Sequence, residues 1–395
     1  MVKDLRIEDF TYDLPESKIA LHPLEKRDGS KLLQYKSERI TDHNFTDISN
    51  LLPESSGLFM NNSKVIYARL NFFKATGARI EIFCLEPSDT DPGSAMTYTQ
   101  SGKWNCLIGN KKRWKGEVLE LQLENDVVLK AKLLESAENN VVQFEWNGNL
   151  TFAEILEKAG KVPLPPYLNR EAEANDYDRY QTVYSKIQGS VAAPTAGLHF
   201  TDNVLDSLRK RNISISEFTL HVGAGTFRPV KSDTIGEHDM HQEYAEVSTE
   251  ALEHLLHLVK AQRPIICVGT TTLRTVESLF WVGIRCLTNK SIDVQQWDPY
   301  ELKAHFNKQE ILEALIDFSL KTNNKLYFKT GIIIAPGYPF QFMNGLITNF
   351  HQPNSTLLLL VSAIIGENWK AVYNHALEND YRFLSYGDSS LLWLS

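Results

Sequence analysis

The chain has 395 residues, of which 43% are hydrophobic and 23% charged, and its formal net charge is −8. That length exceeds one small core and calls for two domains, or one domain with an insert. The composition excludes a fibrous or low-complexity chain, and the acidic balance leaves nucleic-acid binding only to a local basic patch.

Residues 1–62 read as short strands and turns, with breaks at Asp13-Leu14-Pro15-Glu16 and Arg27-Asp28-Gly29-Ser30. No basic-then-apolar leader opens the chain, so a cytoplasmic location is expected. From 64 to about 146 the pattern turns to alternation. Leu119, Leu121 and Leu123, then Leu129, Ala131 and Leu133, then Val142, Phe144 and Trp146 are each separated by polar residues. Period-two runs joined by short turns predict a small antiparallel barrel or sandwich.

At Thr151 the pattern changes again. Thr151-Phe152-Ala153-Glu154 is a capping box, and Gly160 is a helix stop. Helices are predicted over 249–261, 270–280, 355–365 and 369–377, and buried strands over 264–268 and 331–335. The run 357–365 is too short to span a bilayer and reads as a helix buried on all sides. The alternation predicts an α/β main domain formed by 1–63 and 151–395, with a smaller all-β, barrel-like domain, 64–150, inserted in it. Cys84, Cys106, Cys267 and Cys286 form no CxxC pair and read as buried, reduced thiols.

Two segments carry small residues, hydroxyls and histidine without any period. They are 189–200 (GSVAAPTAGLHF) and 219–227 (TLHVGAGTF). Such loops bring the backbone close to a ligand, here Ala193, Thr195, Gly197, Gly223 and Gly225, and present His199 and His221 beside it. His238-Asp239-Met240-His241-Gln242-Glu243-Tyr244 lacks HExxH or CxxC spacing, so it reads as an acid–base and hydrogen-bonding cluster, and no metal is expected. Gly269-Thr270-Thr271-Thr272-Leu273-Arg274 follows a strand and opens a helix. That suits an anion held by Thr270, Thr271 and Arg274, although hydroxyl-rich helix starts are also ordinary caps. Asn349 and His351 stand at another helix entrance. Lys111, Lys112, Arg113 and Lys115 surround Trp114, a patch suited to phosphates and to stacking on a base, or simply a solvated loop.

In chain order, these segments resemble one family, the S-adenosylmethionine:tRNA ribosyltransferase-isomerases of queuosine biosynthesis. Further similar stretches are Leu164-Pro165-Pro166-Tyr167, Tyr180–Ser185 (numbers 180–185), Ala68-Arg69-Leu70, and 381–388 (YRFLSYGD). The resemblance covers most of the chain. It implies that the ribosyl part of S-adenosylmethionine is transferred to 7-aminomethyl-7-deazaguanine at the tRNA wobble position and isomerised. The product is epoxyqueuosine, with adenine and methionine released. It also implies tRNA contacts at Arg69 and Arg382, and a monomer is expected. The chemistry needs a base at the ribose C5′, a proton for departing adenine and an anion site for the methionine carboxylate. His221 or His199 is the expected base, with His241 and Glu243 as acid or orienting group. The family usually has proline at Tyr67 and aspartate at Gly331 and Asn344, and residues 281–327 carry extra sequence. A divergent S-adenosylmethionine-dependent paralogue with another acceptor is the alternative.

Overall fold

The computed structural model describes residues 2–134, 140–223, 232–303 and 305–394. A nine-stranded mixed sheet forms its centre. Four parallel strands, Ser214–His221, Gly57–Asn61, Ile265–Val268 and Gly345–Asn349, lie side by side in that order. The last three are buried along their whole length, as expected for strands covered on both faces. Alternation across the pleat sends Phe59, Cys267 and Leu346 to one face. There they meet the helices Thr249–Lys260, Thr270–Leu287 and Thr356–Ile365. Leu58, Met60, Ile266, Val268 and Ile347 point to the other face and meet helix Asp202–Lys210 through Val204, Leu205 and Leu208.

Beyond Gly345–Asn349 the sheet continues into the chain's final strand, Ser389–Trp393, and only then into the N-terminal hairpin, Lys31–Lys36 with Arg39–Asn44. At the opposite edge, Glu243–Ser248 and Lys325–Thr330 pair antiparallel.

A seven-stranded antiparallel sheet builds the second part, from Arg69–Phe73 through Val141–Trp146 to Gly160–Lys161. The expected barrel is not closed. Among the described residues no ladder joins the edge strands Leu119–Gln122 and Gly160–Lys161. Helix Phe152–Ala159, capped by Thr151 and Glu154 as the sequence predicts, lays Phe152, Ile155 and Leu156 on this sheet, against Trp104, Phe144 and Trp146. A short parallel pair, Ser63–Val65 with Ile187–Ser190, stands between the two sheets in sequence.

Two expectations need correction. Residues 331–335 are buried but form no strand. Gly331 and Ile333 only donate single backbone hydrogen bonds, to Val294 and Gln296. The predicted 270–280 helix runs on to Leu287, because its outer half is buried under the extra segment, with Ile311 packed onto Gly283. The four cysteines are free, and no helix among the described residues is long and apolar enough to cross a membrane.

Candidate active site

Parallel strands leave their carboxyl ends on one side of the sheet, and a deep pocket opens there. It is walled by residues 192–196, Val222, 238–241, 269–271, Arg274, 332–334, 348–357 and Leu384-Ser385. Ile332, Ile333, Ile334, Phe350, Leu357 and Leu360 supply its apolar side.

One wall is built for an anion. Strand Ile265–Val268 turns into helix Thr270–Leu287 at Gly269, whose φ of +86° suits glycine alone. The turn aims the helix's positive end, with Thr270 and Thr271, into the pocket. Arg274 follows one turn later and is buried. Its Nη1 donates to Glu243 Oε2 and its Nε to the Ile332 carbonyl at 3.3 Å. Arg274 Nη2 and Thr271 Oγ1 are buried with no hydrogen-bond partner among the described residues. A buried guanidinium nitrogen costs free energy until something accepts from it, so the two atoms mark a place for a carboxylate.

Glu243 lies behind this wall, fully buried on strand Glu243–Ser248. Burial acts to raise its pKa. The Arg274 charge, His241 and the Gly223 backbone amide outweigh that and hold the carboxyl below its ordinary value. His241 Nε2 stands 3.4 Å from Glu243 Oε1, while the rest of its ring is at the pocket wall and one third exposed. A carboxylate behind an imidazole fixes the orientation of the ring.

His199 sits differently. Its Nδ1 meets Ser30 Oγ at 2.9 Å and its Nε2 meets Asn349 Oδ1 at 3.3 Å, with Phe45 packed on the ring. Asn349 in turn donates to the Leu384 and Ser385 carbonyls at 2.9 and 3.3 Å. Both ring nitrogens are occupied, so His199 holds three distant segments together and does not line this pocket. His221 ends strand Ser214–His221, but the following Val222, not His221, lines the pocket. Its Nδ1 is buried without a partner among the described residues, beneath Gly189. His351 lines the pocket and bonds Thr348 Oγ1 at 3.0 Å.

Burial lowers the pKa of His199, His221 and His351 to about 4. In the unfolded chain each ring takes its proton near 6.5, so between 6.5 and 4 the unfolded state holds more protons. Stability is therefore full above pH 6.5 and falls on acidification, by roughly 3 kcal/mol for each ring at the acid end. Urea midpoints from pH 7 to 5, above most carboxylate titration, should fall steeply. A flat profile would contradict burial of the neutral rings.

The structure thus brings Ala193, Thr195, Thr270, Thr271, Arg274, His241, Asn349 and His351 to one pocket, with Glu243 and the Gly223 amide directly behind. His199, His221 and Gly197 stand outside its lining. Gly197 answers a packing need, since a Cβ there would lie 2.0 Å from Tyr184 Oη. Gly225 lies outside the described residues.

The basic residues fall in separate places. Arg69 pairs with Glu81 at 2.8 Å on the antiparallel sheet. Lys111, Lys112, Arg113 and Lys115 occupy an exposed turn, and Arg382 precedes the last strand. Trp114 does not stack outward as expected. It is 5% exposed, within that sheet's core, and donates Nε1 to the Glu117 carbonyl at 2.7 Å.

Sequence reasoning missed Tyr167, Ser385 and Gln296. Tyr167 Oη hydrogen-bonds Ser385 Oγ at the pocket, and the similar stretches LPPY and YRFLSYGD were the only signals. Gln296 accepts from the Met240 amide at 3.0 Å and donates to the His238 carbonyl at 2.7 Å, so the extra segment suspends the His238–His241 wall (numbers 238–241). Nothing local in the sequence signals that contact.

A family model described as queuosine biosynthesis protein matches residues 7–392. The chain belongs to this family. It is 36% identical over 397 residues to the S-adenosylmethionine:tRNA ribosyltransferase-isomerase of Treponema denticola, across 98% of this chain and 99% of that one. A crystal structure of an S-adenosylmethionine tRNA ribosyltransferase from Thermotoga maritima is also similar. It is 27% identical, covers 97% of this chain and 99% of its own, and has a TM-score of 0.47.

Two departures from the family's usual pattern lie apart from the pocket lining. Asn344 Oδ1 accepts from the Ile265 amide at 2.8 Å, a bond that an aspartate could also make, so the change conserves the acceptor. Tyr67 packs edge-on against Tyr177. The third departure, Gly331, stands against the Gln242 side chain and the Met240 carbonyl. No group of three or more His, Cys, Asp and Glu side chains suited to a metal ion occurs among the described residues.

Proposed function

We propose that the chain transfers the ribosyl part of S-adenosylmethionine to 7-aminomethyl-7-deazaguanine at the wobble position of tRNA and isomerises it, giving epoxyqueuosine and releasing adenine and methionine. The carrying observation is the pair of unpartnered polar atoms, Arg274 Nη2 and Thr271 Oγ1, at a helix start beside an apolar wall. A methionine carboxylate satisfies the first feature and an adenine ring the second.

The sulfonium acidifies the adjacent C5′ hydrogens, and a neutral imidazole at the pocket can take one. His241 is suited to that role, because Glu243 stabilises the imidazolium that forms. Held by Arg274, Glu243 stays ionised and orients the ring without exchanging the proton itself. The same imidazolium can return a proton to departing adenine. His221, with its free Nδ1, is the second candidate, and His199 acts through Asn349 as a positioning residue. Ala193, Thr195, Thr270 and His351 contact the donor in this scheme.

The tRNA meets Arg69, Lys111, Lys112, Arg113, Lys115 and Arg382, and its place in the cytoplasm sets that of the enzyme. In this scheme the enzyme acts as a monomer. The antiparallel sheet stands as a lobe inserted in the α/β domain, supported by its separate core.

The test is adenine release from S-adenosylmethionine with tRNA bearing 7-aminomethyl-7-deazaguanine and with the same tRNA lacking it. Release that requires the modified base, with label from the ribosyl carbons on the tRNA, is expected. Donor binding without release on either tRNA would reject this acceptor and favour a paralogue with another one.

A further inference from the structure

A second, smaller recess adjoins the main pocket, walled by Arg27, Arg179, Arg382, Ser30, His199 and Tyr386 among others. Both cavities have Ser385 in their walls, and His199 reaches from the recess to Asn349 of the pocket. The donor chemistry above uses none of the three guanidinium groups, and of the three only Arg382 is already among the tRNA contacts.

Main-chain carbonyls hold Arg27 and Arg179 without cancelling their charge. Arg27 donates to the Gln181 and Asp178 carbonyls at 2.8 and 2.7 Å, and the Asp178 carboxylate, 3.5 Å away, is itself 85% exposed. Arg179 donates to the Glu25 carbonyl at 3.1 Å, and its Nε is buried with no partner among the described residues. Among the described residues the Arg382 guanidinium makes only long contacts, 3.5 Å to the His22 carbonyl and 3.7 Å to the buried Asp388 carboxylate, which offsets part of its charge. The groups feel one another. Burial and then the Arg179 charge lower the Arg27 pKa, and the Arg382 charge adds to burial in lowering that of His199.

We infer that this recess takes a phosphate of the RNA, one flanking the nucleotide whose base enters the main pocket. The inference rests on the proposed function. S-adenosylmethionine carries no phosphate, so of the two substrates only the RNA supplies one. Planar guanidinium forks fixed in place match phosphate oxygens pairwise. A base drawn into the pocket brings its own backbone to the rim, where the recess lies.

The experiment titrates wild type, Arg382→Gln and Arg27→Gln with tRNA bearing 7-aminomethyl-7-deazaguanine at several salt concentrations, with S-adenosylmethionine binding measured alongside. Each variant should bind the RNA about tenfold more weakly. Its log–log salt slope should be shallower by about 0.7 to 0.9, with donor affinity unchanged. In a second arm, uncharged methylphosphonates replace the phosphates flanking the modified nucleotide. Wild type should lose about tenfold, and the variants nothing further.

Wild-type affinity indifferent to those methylphosphonates overturns the inference, and displacement of tRNA by inorganic phosphate would then assign the recess to the free anion. Since that arm uses the wild-type protein, it decides the matter even where a variant does not fold. Failure of wild type to bind any tRNA would instead reject the proposed function.

Discussion

In Arg274→Ala, S-adenosylmethionine affinity falls about a hundredfold, and the folded state loses about 3–5 kcal/mol. Two separate losses are combined. The substitution removes the unpartnered Nη2 at the pocket, the one nitrogen left for the donor's carboxylate. It also strands Glu243, which is fully buried and depends on Arg274 for its main compensation. An uncompensated carboxylate in that position must either protonate or draw water inward. The two effects separate in Arg274→Met combined with Glu243→Leu, which removes both charges. Thermal stability should recover in large part, because replacing a whole buried ion pair by apolar groups is often nearly neutral. Donor binding should not recover. Calorimetric titration of both variants with S-adenosylmethionine, beside their melting curves, reads the two quantities independently. Wild-type affinity in the double variant would remove Arg274 from the donor site.

His241→Ala should leave the fold and donor affinity nearly intact while reducing the rate of adenine release by about 10²–10⁴. The ring is one third exposed, and its one contact at Glu243 is long, so stability loses little. The reacting proton, by contrast, loses its acceptor. Glu243→Gln keeps the imidazole but removes the carboxylate that orients it, so it should slow adenine release by less than His241→Ala does, with donor affinity unchanged. Unchanged release in His241→Ala would pass the base role to His221.

Much of this was legible before any coordinates. The alternation in residues 119–146 marked the antiparallel strands, because each has one buried and one wet face. Thr151 and Glu154 marked a helix start through a bond local in sequence. The pocket's lining was partly visible as aperiodic, glycine-rich loops. What stayed hidden depended on contacts across long separations. Nothing near Arg274 signals that its partner is Glu243, thirty-one residues earlier. His199 looked like a base because histidine in such a loop usually meets ligand, yet Ser30 and Asn349 claim both its nitrogens. Ile332–Ile334 (numbers 332–334) looked like a strand because an apolar run reports burial, and a pocket wall is buried too. Trp114 was drawn into the core by the strands on either side of its basic turn.

The position of the final strand governs how the molecule comes into being. Among the described residues Ser389–Trp393 is the only strand that links the N-terminal hairpin to the rest of the large sheet. The N-terminal hairpin can close on itself, but it joins the large sheet only through those five residues. Until that strand is seated, Asp388 does not meet the Lys31 amide and Ser30 has no fixed place from which to brace His199. Pairing of strands so far apart in sequence makes for slow folding, and the bracing beside the pocket is completed only with it.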